Sequence, residues 1–145
     1  MTPTINKILL PIDFSVPAER AAGYAATLAR SLGASIHLVH VLEDVTQPTR
    51  YEDSRSKLLA LAASLAPAAA RTSVEVRSGR PATAIIDAAI DYGCDLIVMA
   101  THGRSGVSHL VLGSVAEEVI RHARCPVLAV RQSGAAAVHV RPHAA

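Results

Sequence analysis

LIVMATHGRSGVSHLVLGSVAEEVIRHA, running from Leu96 to Ala123, decides how this chain folds. Leu96 to Met99 is a continuous apolar run of strand length. A loop with Gly103 and Gly106 follows, and Gly113-Ser114 then opens an amphipathic pattern with Ala116, Val119, Ile120 and Ala123 on one side. A strand, a glycine-bearing loop and a helix start make the arrangement in which backbone N–H groups face an anionic ligand.

Outward from that stretch the same alternation recurs. Lys7 to Ile12 (KILLPI) predicts a first buried strand ending at Asp13, with Pro11 removing a ladder donor near its end. Ser15 and Pro17 read as N-cap and first turn of a helix. Ala21, Tyr24, Ala25, Leu28 and Leu32 supply its apolar face, and Gly33 stops it. Ser35 to Leu42 (SIHLVHVL) is the second strand, and Glu43 to Arg50 is expected to be a mobile loop. From about Tyr51 a helix carries Leu58, Leu61, Ala62 and Leu65 inward, with Asp53 and Lys57 as an outward pair. Thr72 to Arg77 is a third strand. Pro81 opens a helix burying Ala82, Ile85, Ile86 and Ala89, which Gly93 stops. Asp95 to Ala100 is the fourth strand and Pro126 to Arg131 the fifth.

Strands that alternate with helices predict an α/β fold: an open, doubly wound, parallel five-stranded sheet with helices on both faces. Ligands of such sheets bind at the carboxyl ends of the strands where the winding reverses. The strand ends richest in polar or glycine chemistry are the first, at Asp13, and the fourth, at His102 and Gly103. Placing the reversal between them gives the order 3-2-1-4-5. One domain is expected over residues 1–131, and residues 132–145, small and aperiodic, read as a disordered tail.

Composition narrows the function. A net charge of +2, with scattered Lys and Arg, does not favour nucleic acid. No apolar run reaches the roughly 20 residues that span a bilayer, and MTPTINK is unlike a signal peptide, so the cytoplasm is the expected location. Cys94 and Cys125 each precede a strand; if those strands are parallel neighbours, the two thiols lie close together at one edge. Buried, inert cysteine is the commoner case.

Several residues carry chemistry in more than one reading. Ser114 with Glu117 fits a capping box, and Gly113 also allows a phosphate to approach the helix N-terminus. Arg104 is either a cationic fork for phosphate or a solvated loop residue. His102 and His109 can donate to phosphate. Asp13 can accept from an exocyclic amine or a ribose hydroxyl, or can form an Asx turn into the first helix. His37 and His40 point to opposite faces of their strand and cannot chelate one metal together. A Walker GxxxxGK[ST] loop, a GxGxxG after the first strand and a GxSxG elbow are all absent.

KILLPIDFS at Lys7–Ser15, LVHVLE at Leu38–Glu43 and CPVLAVR at Cys125–Arg131 resemble the small single-domain form of the universal stress protein family. The family's nucleotide signature is Gly, two residues, Gly, nine residues, then Gly with Ser or Thr. Gly103 and Gly113-Ser114 match it, while Ala100 stands at the first glycine. If that glycine serves a positive φ, alanine weakens binding; if it need only be small, binding persists. The resemblance implies an ATP site: Asp13 with Pro11 and the backbone of Val41 at the base and ribose, Ala100, Thr101, His102, Gly103 and Arg104 around ribose and phosphates, and Gly113, Ser114 and Val115 on the phosphates. It further implies a Mg2+ or Mn2+ companion ion and a homodimer through the last strand, Val127 to Val130, with no nucleic acid or membrane partner. Three functions follow in order: an ATP-dependent regulator or sensor of stress, a nucleotide-free dimeric interaction module, and a slow ATP hydrolase.

Overall fold

Lys7–Pro11 (β1) is paired on both sides by strands distant in sequence, and that placement sets the architecture. The structure is a computed structural model that describes residues 3–43, 46–102, 112–131 and 138–141. Its remaining elements are α1 (Val16–Leu32), β2 (Ser35–Leu42), α2 (Pro48–Leu65), β3 (Thr72–Ser78), α3 (Pro81–Asp91), β4 (Leu96–Ala100), α4 (Ser114–His122), β5 (Val127–Val130) and β6 (Val138–Arg141). The sheet order is β3-β2-β1-β4-β5-β6. The first five strands are parallel, in the order the sequence predicts, and the winding reverses between β1 and β4.

Alternation along the central strands divides the core into two layers. Ile8, Leu10, Ile36, Leu38 and Val98 face α1 and α2, whereas Leu9, Val39, Ile97, Val127 and Ala129 face α3 and α4. Strands covered on both faces have no polar side to show, which is why they read as continuous apolar runs. Pro11 costs the ladder little. The amide of Ile12 bonds the Val39 carbonyl of β2 at 2.8 Å, so the position of Pro11 faces β4 instead. Pairing with β4 runs over Ile8 and Leu9.

Four readings of the sequence need correction. The core stripe of α1 is Ala18, Ala21, Ala22, Ala25 and Ala29, leaving Tyr24 and Leu28 half-buried and Leu32 exposed. Alanine offers only a methyl, so the sheet-facing side of this helix is its smoothest one. Secondly, α2 begins at Pro48, three residues before Tyr51, so Pro48 to Arg50 are helical rather than loop. Thirdly, Lys57 stands over the ring of Phe14, 5.3 Å from its centre, on the crevice side of α2 rather than outward. Lastly, residues 138–141 of the supposed tail form β6, antiparallel to β5. Among the described residues no helix is long and apolar enough to cross a membrane.

Candidate functional site: the crevice at the sheet reversal

The carboxyl ends of β1 and β4 diverge because their onward connections leave to opposite faces of the sheet. A crevice of about 720 Å³ opens there. Pro11, Asp13, Val41, Ala100, Thr101, His102, Gly113, Ser114 and Val115 all line it, so nine of the eleven residues singled out from sequence meet in one place. Gly103 and Arg104 lie outside the described residues, as do Gly106 and His109.

Asp13 forms the Asx turn. One carboxylate oxygen accepts from the Ser15 amide at 3.0 Å and from the Ser15 hydroxyl, and that hydroxyl in turn accepts from the Ala18 amide at 3.2 Å. The carboxylate is thereby fixed at the crevice mouth by the N-cap of α1. Phe14, next in sequence, is the one non-glycine residue with positive φ (63°) among those described. Its ring leans on His40, with ring centres 4.6 Å apart, and His40 donates from Nδ1 to the Ile12 carbonyl at 2.7 Å.

On the β4 side, the Thr101 amide bonds the Val130 carbonyl at 3.0 Å and the Thr101 carbonyl accepts from the Gly113 amide at 2.7 Å. A β-carbon on Gly113 would sit 3.0 Å from that carbonyl oxygen, so glycine is what lets α4 start this close to β4. The capping box does not form. Gly113 is itself the N-cap, with φ −64° and ψ 155°; Ser114 is the first helical residue, and Glu117 pairs with Arg121 at 2.9 Å. The Ser114 hydroxyl is therefore at the crevice rather than committed to the helix end. His102 is 3% exposed; its Nδ1 meets the Thr101 hydroxyl at 2.9 Å, and its Nε2 is buried with no hydrogen-bond partner among the described residues. Buried polar atoms in native proteins are almost always partnered.

Ala100 closes β4 and is not among the residues with positive φ, so alanine stands there without backbone strain. Sequence reasoning missed the second wall of the crevice: Arg50, Asp53, Ser54 and Lys57 of α2. Their spacing of three, four and seven residues was the available signal, a polar stripe on one helix side.

The model of the universal stress protein family matches residues 4–131. This chain belongs to the universal stress protein family. A universal stress protein of Thermus aquaticus is 41% identical over 133 residues, spanning 86% of this chain and 97% of that one. Methanocaldococcus jannaschii MJ0577, another universal stress protein, is 25% identical over 159 residues. Its solved structure superposes with a TM-score of 0.84 and covers 92% of this chain and 100% of its own. A universal stress protein of Archaeoglobus fulgidus, solved in complex with dAMP, shares the fold at a TM-score of 0.70 and 23% identity, covering 90% of this chain and 100% of that one.

Proposed function

We propose that this universal stress protein is a nucleotide-dependent regulator or sensor in stress response, and that ATP is its ligand. The observation that carries the proposal is the orphaned Nε2 of His102, buried in a crevice that also holds the open start of α4. A nucleotide phosphate at that helix start would meet backbone N–H groups and the positive end of the helix dipole. Asp13, held by Ser15, would face the ribose or base. Relatives of the same fold solved with dAMP and with cAMP support a nucleotide over other anions. Ala100 is not among the residues with positive φ, which supports a site that accepts alanine at that position.

No group of three or more His, Cys, Asp or Glu residues able to hold a metal ion occurs among the described residues. A Mg2+ or Mn2+ ion accompanying ATP would be held in large part by phosphates and water, as Mg2+ commonly is. A second copy pairing through Val127 to Val130 would compete with β6 for one edge of β5, so dimer formation and β6 docking exclude each other.

The test is to denature the purified protein and identify released nucleotide by chromatography, then titrate the nucleotide-free protein with ATP and magnesium by calorimetry. Saturable 1:1 binding is expected. Heat indistinguishable from dilution across the millimolar range would overturn the proposal and restore the interaction-module reading.

A further inference from the structure

At the opposite end of the sheet from the crevice, Cys94 and Cys125 stand just before β4 and β5. The two strands are parallel neighbours in the register Ile97 with Val127, and the Ile97 amide bonds the Pro126 carbonyl at 3.0 Å, carrying that register one residue back. Cys94 and Cys125 lie in the connections that lead into these two strands, outside the regular ladder, and Cys94 is near enough to Cys125 to feel its charge. Neighbouring strands run about 4.8 Å apart, a spacing of the order of the roughly 4.4–6.8 Å between α-carbons that a disulfide needs. Both side chains pack against the same apolar layer, the one beneath α3 and α4, so they project to the same side. Both are half-buried and free.

We infer that Cys94 and Cys125 are a dithiol that hydrogen peroxide converts to an intramolecular disulfide linking the amino ends of β4 and β5. One thiolate attacks a peroxide oxygen, the O–O bond breaks, and hydroxide leaves to take up a proton as water. The resulting sulfenic acid is attacked at sulfur by the second thiolate. The S–S bond forms, a second water leaves, and the protein has lost two electrons and two protons.

The site's electrostatics set the pace. Burial pushes the Cys94 thiol up to about 12, with the neighbouring Cys125 and Asp95 adding to the effect; burial, with Asp95, pushes Cys125 up to about 11. Thiolate is the reacting form, so the pair rests quietly at neutral pH. Either thiol can meet peroxide first, and the other then resolves the sulfenic acid. The rate should rise with pH as the thiolate fraction grows.

The experiment uses the full chain with hydrogen peroxide, then denaturation, alkylation and intact mass. A guanidinium-unfolded sample run alongside shows that the oxidant is competent. Expected are the joint disappearance of both thiols, a mass lower by two hydrogens, a Cys94–Cys125 linked peptide, and full recovery with dithiothreitol. Cys94→Ser should instead accumulate oxygen adducts on Cys125 that are not recovered as a disulfide. Two thiols surviving in the folded protein at about pH 9, while the unfolded control at the same pH oxidises, would overturn the inference. So would separate oxygen adducts in the wild type, or a disulfide found only between two molecules.

Discussion

At the residue scale, His102 and Gly113 are coupled through Thr101: the hydroxyl holds the imidazole and the carbonyl holds the Gly113 amide. Gly113→Ala should push α4 off the Thr101 carbonyl and weaken ATP binding by tenfold or more, roughly the worth of one charge-assisted hydrogen bond. His102→Ala should weaken it by a similar factor of about ten by leaving the ligand atom unpartnered. Calorimetric titration reads both, and unchanged affinity in His102→Ala would remove the histidine from the site. A second buried histidine behaves differently. His37 lies between Ser73, at 2.6 Å from Nδ1, and Glu75, at 3.1 Å from Nε2, under the stacked ring of Tyr92; Arg77 ties Glu75 to Asp91. Burial holds His37 below its ordinary 6.5, outweighing the upward pull of Glu75. Because the unfolded chain then binds the proton more readily, the resulting stability is fully present above pH 6.5 and is lost as pH falls from there toward the depressed value. Melting temperature followed from about pH 8 down to about pH 5 should drop more steeply in the wild type than in His37→Gln. Parallel curves would remove His37 as the cause.

At the element scale, two serines that look alike in sequence have unlike duties. Ser15 caps α1 and anchors Asp13, so Ser15→Ala should cost about 1 kcal/mol in urea unfolding and loosen the proposed nucleotide site as well. Ser114 caps nothing, so Ser114→Ala should stay within about 0.5 kcal/mol while still affecting ligand affinity. A destabilised Ser114→Ala would mean that its hydroxyl serves the helix after all. This contrast also shows where sequence reading stops. Ser15 was legible because Pro17 fixes where the helix starts. Gly113-Ser114 was not, since either residue can cap, and the contact that decides between them is with Thr101 across the sheet. The strands were legible as apolar runs bounded by turn residues. The face of α1 was not, because alanines lie on several of its sides and only packing selects one. Polar α2 residues were missed as site components because charge on a helix usually means solvent.

At the scale of the whole molecule, β6 closes an edge that the five-stranded expectation left open. Its signal was present as the alternation Val138, His139, Val140, Arg141, too short to stand out beside small residues. Removing residues 132–145 uncovers the outer ladder of β5. The truncated chain should self-associate more strongly than the full chain in sedimentation velocity, since an unpaired edge recruits another strand. Equal sedimentation of the two would show that β6 does not guard that edge. The central position of β1 has a consequence of another kind, in the order of synthesis. β2 can pair with β1 almost at once, but Asp95, which accepts from the Asn6 and Lys7 amides and aligns β4 beside them, arrives 88 residues after Lys7. At about 5–20 residues per second the ribosome takes about 4–18 s to supply it. Throughout that interval one side of Ile8 and Leu9 is an open apolar edge, and the nascent chain has only the β1 half of the crevice.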